Sequence, residues 1–497
     1  MRNKFKIIGG ICCLLILLLG VSCADGISDS ERFSGGVINT QLESPNADGF
    51  SFTVLARTDG SEGVKMTWPV VYGAGGYLLN VTNVDSPLAP IVLVKDSFID
   101  GCSVIFDTKE DTNYKISIKA LGNEMLNNKT AESATTLAFS TLIPAVTIPE
   151  GRDIAEFIKA NLQVSDTEQG FELQGGKTYT LNSVVDFGLN TITFRGDKFN
   201  RPIVIVGSEG GLMTQGGLKV KFINFDCTEM IQTGVLTLSD NPSETISTTA
   251  LGYKEKAGAN QDGYVIEKPV IFQDCNFKNV KNSILYGNKK NWSLRDFRIN
   301  NCILQLNNSG SKPVINLYGG RNGLIKELTI KKSTFYNLSD NSSAYFIRYS
   351  NSSNAQPKKI FGKAEDSSTF TISYNTFCKT MNGKDFANNM ANTKSLVFNV
   401  DHNIFYDTYR INKLLSSQAK RYTEGNTIFG VKKSVDSGDT GKKDTQGNPY
   451  AMLEDPNFSG PIDMAFDLSQ PHGGVNFKTS APVASENKSG DPRWSKE

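Results

Sequence analysis

The chain has 497 residues, too many for a single small module and suited to about three domains, or to one elongated repeat domain with a smaller companion. With 39% hydrophobic and 21% charged residues it can fill a core and does not read as disordered, and 45 glycines against 17 prolines point to many tight turns. Lys plus Arg (52) and Asp plus Glu (51) nearly cancel, which leaves no electrostatic footprint for nucleic acid while still allowing a local basic patch for an acidic ligand.

Arg2, Lys4 and Lys6 precede an apolar run from Ile7 to Leu19, followed by Gly20-Val21-Ser22-Cys23. The run is too short to span a bilayer, so residues 1–22 are expected to be a removable signal peptide. The tetrapeptide resembles a bacterial lipobox, which implies Cys23 as the lipidated residue; an ordinary secretory peptide with a chance cysteine is the other reading. Residues 23–47 read as a tether, and its start, Ala24-Asp25-Gly26-Ile27-Ser28-Asp29-Ser30-Glu31, is similar to export signals on surface lipoproteins of the Bacteroidales. That resemblance implies an outer-membrane protein exposed at the cell surface. Its lipid would be the sole membrane attachment, because no later run of about 18 apolar residues occurs. Of the eight cysteines, Cys102, Cys227, Cys275, Cys302 and Cys378 remain after the signal and the lipid site. Their odd number and the absence of a C-x-x-C pair favour small core residues over a zinc site or a disulfide framework.

Residues 48–143 alternate polar and apolar in short runs: Phe52-Thr53-Val54-Leu55, Val64-Lys65-Met66-Thr67-Trp68, Tyr77-Leu78-Leu79-Asn80-Val81, Tyr114 to Leu121, and Ala138 to Leu142. Period-2 strands at such spacing predict a β-sandwich. With Trp68 as a core tryptophan, Ala74-Gly75-Gly76-Tyr77 opening the third strand and Tyr114 as a corner tyrosine, the block resembles a fibronectin type III domain. Such domains are usually spacers, and no chemistry is assigned to it.

Pro144 to Pro149 read as a linker, and Ile154, Phe157, Ile158 and Leu162 stand at helical spacing, which predicts a short capping helix. Beyond it, residues 150–475 carry an internal repeat, with 476–497 as a tail. The template is apolar, any, polar, ladder residue, any, apolar. It fits Phe222–Cys227, Phe272–Phe277, Ile299–Leu304, Ile330–Phe335, Ile372–Phe377 and Val400–Phe405, and more loosely the segment ending at Phe429. The final positions differ by 50, 27, 31, 42, 28 and 24, which reads as one coil per step, with 50 as two coils or one and 42 as a coil with an insertion. A strand followed by a turn whose fourth position repeats Cys, Ser or Asn predicts a parallel β-helix, with Cys275 above Cys302 and Asn375 above Asn403 as internal ladders.

The expected architecture is therefore all-β: a fibronectin type III-like sandwich followed by a right-handed parallel β-helix with a short capping helix. The tandem of lipobox, sandwich, Asn/Cys-ladder coils and the ending Gly490-Asp491-Pro492-Arg493-Trp494 resembles uncharacterised β-helix lipoproteins of polysaccharide-utilisation systems, whose coils have the pectate-lyase-like fold. That resemblance implies handling of a polysaccharide, often an acidic one such as pectin, in company with an outer-membrane glycan transporter complex. It does not say whether the glycan is cut.

The sequence offers two candidate sites. For cleavage, a calcium-dependent lyase needs converging carboxylates with an Arg or Lys beside them. The outward positions of the strand before the turn hold only one acid, Asp401, with Asp296 one pleat earlier, and three strand steps separate the two, about 14 Å. No cofactor is expected, and calcium enters only under the lyase alternative. Val400-Asp401-His402-Asn403 resembles the Ile-Asp-His stretch of pectate lyases, so Asp401, His402 and Arg298 are the candidate catalytic residues, although a lone His after a strand is more often a hydrogen-bonding turn residue. For binding, Tyr286, Tyr318 and Tyr349 recur at steps of 32 and 31 residues, close to one coil. Stacked, they would form an aromatic and cationic strip with Arg321, Arg348, Tyr409 and Arg410, suited to sugar rings and uronate carboxylates. The alternative is that they are half-buried ladder residues without a ligand.

Overall fold

The computed structural model describes residues 39–56, 62–86, 88–257, 262–339, 343–432 and 439–495. The signal peptide, Cys23 and the tether up to residue 38 lie outside the described residues. The chain divides into two compact units, residues 1–142 and 143–497.

In the first unit, among the described residues, seven antiparallel strands form two sheets. Ser51–Ala56, Glu62–Thr67 and Ser103–Thr108 make one; Ile91–Ile99, Gly76–Asn83, Asn113–Leu121 and Thr135–Ser140, in that spatial order, make the other. Period-2 alternation turns Val64, Met66, Leu79, Val81, Ile116 and Ile118 into the space between them, where all are buried. Trp68 packs edge-on against Tyr77 at 5.3 Å. The Tyr114 hydroxyl accepts a hydrogen bond from the Lys109 amide at 2.7 Å, tying the strand start to the turn before it.

The second unit is a parallel β-helix. Each full coil passes through three stacked parallel sheets, termed I, II and III, of 11, 10 and 7 strands among the described residues. Leu218–Lys221, Asn224–Asp226 and Gly234–Leu238 form one such coil in that order. Sheet I sets the register, Val220 pairing with Phe272, then Ile299, Ile330, Ile372 and Val400, so apolar side chains stack inside for the length of the helix. Helix α1 (Ile154–Asn161), capped by Asp153 accepting from the Ala155 and Glu156 amides, packs on the first coils and buries Ile154, Ala155 and Ile158 there.

From Phe222 onward one residue per coil between sheets I and II takes a left-handed conformation: Phe222, Asp274, Asn301, Lys332, Tyr374, His402 and Gly425. The next residue points inward and forms the ladder. Ser333 Oγ accepts from the Cys302 amide at 3.1 Å, Asn375 Oδ1 from the Ser333 amide at 3.0 Å, Asn403 Oδ1 from the Asn375 amide at 3.0 Å, and Asn426 Oδ1 from the Asn403 amide at 2.9 Å. Cys275 and Cys302 continue the stack as buried free thiols.

The register differs from the expected one at both ends. Val220, not Phe222, pairs with Phe272, and Phe225, not Cys227, pairs with Phe277. Phe222-Ile223-Asn224-Phe225-Asp226-Cys227 satisfies the template two residues late, because residues on either side of the turn are also apolar. The step from Phe225 to Phe277 is thus one coil with an insertion rather than two coils. At the far end Ile428, not Phe429, pairs with Phe405.

Two insertions leave the helix just before the strands Val270–Gln273 and Ser368–Ser373 of sheet I. Arg295 joins them: Nε lies 2.6 Å from Glu267 of the first and Nη1 2.6 Å from Glu365 of the second. Its guanidinium sits over the Tyr253 and Phe361 rings at 5.3 and 4.7 Å. The Arg295 hydrogen bond, with Lys326 in support, holds the Glu365 carboxyl down at about 2.

The helix ends with the strand Met452–Leu453, earlier than the residue 475 read from the repeat. The chain beyond it is not a free tail. Phe466, Val475, Phe477 and Trp494 pack on Ile303, Tyr336 and Cys378, the outward residues of sheet II, so the segment forms a fourth wall.

Candidate functional site

The tyrosine strip does not form. In sheet III Tyr286 pairs with Asn316, Asn316 with Arg348 and Arg348 with Asn388, so the outward row holds one tyrosine. Tyr318 lies two residues past that row. Tyr349 lies one residue past it, and a slip of one residue turns a side chain to the opposite face. Tyr349 is 2% exposed, its hydroxyl accepts from the Ile325 amide at 3.0 Å inside the helix, and burial pushes its phenol up. Of the contacts expected between the three tyrosines and the cations, only the Arg348–Tyr318 stack forms among the described residues. Arg348 stacks over the Tyr318 ring at 3.7 Å, Arg410 makes a forked pair with Asp385 at 2.7 and 3.1 Å beside Tyr409, and Arg321 is an exposed turn residue.

The candidate catalytic residues are likewise held by structure. His402 occupies the left-handed turn, its ring stacked on Tyr374 at 4.6 Å, with Gly425 beneath it, where a Cβ would come within 2.8 Å of the imidazole. Its Nδ1 lies 3.5 Å from Asp401. Arg298 Nε donates to Asp296 at 2.9 Å. The sheet I register keeps Asp296 and Asp401 on different rows three strands apart, and among the described residues no group of three or more His, Cys, Asp or Glu side chains gathers around a point. One acid carries no signal in the sequence. Glu327 pairs in register with Asp296, and burial pushes its carboxyl up.

What the structure does bring together is a groove of about 1430 Å³ along the I–II turn, closed on its far side by the C-terminal segment. Its floor is built by coil stacking: Gln273, Asn300 and Lys331 from the last outward row of sheet I, with Asp274, Asn301, Lys332 and Tyr374 from the left-handed turn positions above one another. The far wall carries Gln470, His472 and Arg493. Lys198, Arg201, Arg298, Lys331, Lys332 and Arg493 line it against one acid among the described residues, Asp274. That acid faces Arg201 at 3.7 Å. Arg298 and Arg493 are held by Asp296 and Asp491, whereas Lys331 and Lys332 are exposed and form no ion pair among the described residues. Phe199, 61% exposed, stands at one end, its loop fixed by Asp197 accepting from the Phe199 and Asn200 amides at 2.9 and 2.6 Å. The Tyr374–His402 stack stands at the other end. A long polar trough with positive charge in the middle and aromatic rings at its ends suits an extended anionic chain better than a compact apolar molecule.

A family model described as a domain of unknown function matches residues 5–180, and one described as a domain of unknown function (DUF4957) matches residues 177–338. No curated protein matches the chain. Among solved structures the chain is similar to pectate lyase PelI from Erwinia chrysanthemi, at 10% identity over 66% of this chain and 85% of that one, with a TM-score of 0.15. It is also similar to pectate lyase Pel3 from Pectobacterium carotovorum, at 11% identity over 58% and 86%, with a TM-score of 0.13. The parallel β-helix rests on the strand registers and not on these scores.

Proposed function

We propose that the chain binds an acidic polysaccharide such as pectin along the cationic groove. The observation that carries this reading is the pair Lys331 and Lys332, two unengaged ammonium groups in a trough whose one acid, among the described residues, is already paired. The reading includes attachment at the outer-membrane surface through a lipid on Cys23, where captured glycan would pass to a transporter complex. Cys23→Ala should then release the protein from membranes.

The test is affinity electrophoresis in gels containing polygalacturonate or neutral dextran. Wild type should be retarded by polygalacturonate alone. Exposed ion pairs contribute up to about 1 kcal/mol each, so Lys331→Ala/Lys332→Ala should weaken retention by roughly tenfold, more at low salt. Equal mobility of wild type in the two gels would remove the basis for the reading. A lyase acting on the same ligand is the second reading. It is favoured by Lys331, whose neutral amine can take the proton α to a uronate carboxylate as the glycosidic C4–O bond breaks, a double bond forms and solvent protonates the leaving oxygen. Appearance of unsaturated-product absorbance, abolished by Lys331→Ala, would decide for it.

A further inference from the structure

The sequence ends in a motif, Gly490-Asp491-Pro492-Arg493-Trp494, to which glycan capture by Lys331 and Lys332 gives no task. In the structure it is a clip across three coils of sheet II. The Gly490 amide donates to the His402 carbonyl at 2.7 Å, the Asp491 amide to Thr376 Oγ1 at 3.1 Å, and Trp494 Nε1 to Thr334 Oγ1 at 2.8 Å. Gly490 is required where it stands: its φ is +90°, and a Cβ would come within 2.8 Å of Ile404. Thr334 Oγ1 in turn donates to Asp491 Oδ2 at 2.9 Å. The Asp491 side chain is wholly buried, and desolvation pushes its carboxyl up against the opposing pull of Arg493. Covering sheet II needs only the apolar part of this clip. A buried carboxylate is costly, so its presence calls for another explanation.

We infer that the clip serves to seat Arg493 so that its Nη1 donors meet a ligand carboxylate in the groove, an inference that rests on the acidic-glycan reading. The Arg493 side chain is 10% exposed, with Nε 3.5 Å from Asp491 and Nη2 donating to Asn301 Oδ1 at 2.7 Å. Nη2 also reaches the Lys332 carbonyl at 3.5 Å. Asp491 and Asn301 thus fix the plane of the guanidinium from two sides. Nη1 is left with no hydrogen-bond partner among the described residues, in a residue that lines the groove next to the unengaged Lys332. A pre-oriented guanidinium with unused donors, beside a second cation, is built to receive a carboxylate.

Arg493→Lys in the full chain tests this, because lysine keeps the charge and loses the fixed Nη1 donors. Polygalacturonate binding should fall about tenfold, with the melting temperature within about 2 °C of wild type and dextran still unbound. Arg493→Ala should fall at least as far; if it does not fold, the lysine variant alone decides. Lys331→Ala/Lys332→Ala serves as the reference. If that variant loses affinity while Arg493→Lys keeps wild-type affinity, the assignment of Arg493 is overturned and the groove reading stands. If wild type itself ignores polygalacturonate, the groove reading fails first.

Discussion

Replacing Asn403 by alanine removes the centre of the inner ladder, and the cost can be worked from its contacts. Asn403 Oδ1 accepts from the Asn375 amide and from Asn375 Nδ2, both at 3.0 Å, while its Nδ2 donates to the Ile372 carbonyl at 2.7 Å and to Asn426 Oδ1 at 3.0 Å. Asn375 and Asn403 have no solvent exposure and Asn426 has 1%, so water cannot replace what is lost. A buried hydrogen bond contributes about 1 kcal/mol net, and leaving the Asn375 amide without its acceptor adds roughly 1–3 kcal/mol. Asn375 Nδ2 keeps its bond to the Ile330 carbonyl, and Asn426 Oδ1 keeps the Asn403 amide, which limits the total. The expected destabilisation is about 4 kcal/mol, or roughly 5 °C for a unit of this size. Thermal unfolding followed by circular dichroism measures it, and native-state hydrogen exchange should show the Asn375 amide opening far more readily than in wild type. Thr371→Ala, an outward change on neighbouring sheet I, should stay within about 0.5 kcal/mol. An Asn403→Ala protein within about 1 kcal/mol of wild type would refute the ladder as a source of stability.

Tyr349→Phe should cost about 1–3 kcal/mol by orphaning the Ile325 amide, whereas Tyr318→Ala should change stability little, and neither should alter polygalacturonate retention. Loss of retention in either variant would revive the tyrosine strip. The Glu365 carboxyl, held at about 2 by Arg295 against an ordinary 4.5, contributes stability that is fully present above about pH 4.5 and is lost as pH falls toward 2. Glu365→Gln should remove that part of the acid sensitivity. Equal acid loss in wild type and variant between these pH values would show that the pair contributes nothing.

How far the sequence could be read depended on what repeats. The sandwich strands and the Asn375–Asn403 ladder were legible because burial imposes a strict period and an inward polar side chain must find partners. The tyrosine series failed because turns between sheets vary by a residue or two per coil. Spacings of 32 and 31 therefore conceal aligned steps of 30 (Tyr286 to Asn316) and 32 (Asn316 to Arg348), and one residue is enough to bury Tyr349. The groove floor was partly visible, since Arg298 and Lys331 fall on outward template positions, but a lyase centre is recognised by its acids, and scattered cations on that face form no motif. Its far wall was out of reach: Gln470, His472 and Arg493 belong to no repeat, and only tertiary packing brings them opposite Asn301 and Lys332.

Stacked coils ordinarily behave as a one-dimensional array in which each coil feels only its two neighbours. Arg295 breaks that rule. Its two carboxylate partners sit in insertions that lead into Val270–Gln273 and Ser368–Ser373, three strand steps apart on sheet I, with Trp292–Asn300 and Leu324–Lys331 between them. A bond spanning non-adjacent coils makes it unfavourable for any one of the four to melt alone. The middle of the helix should therefore open as a single cooperative block, with fraying confined to the coils on either side.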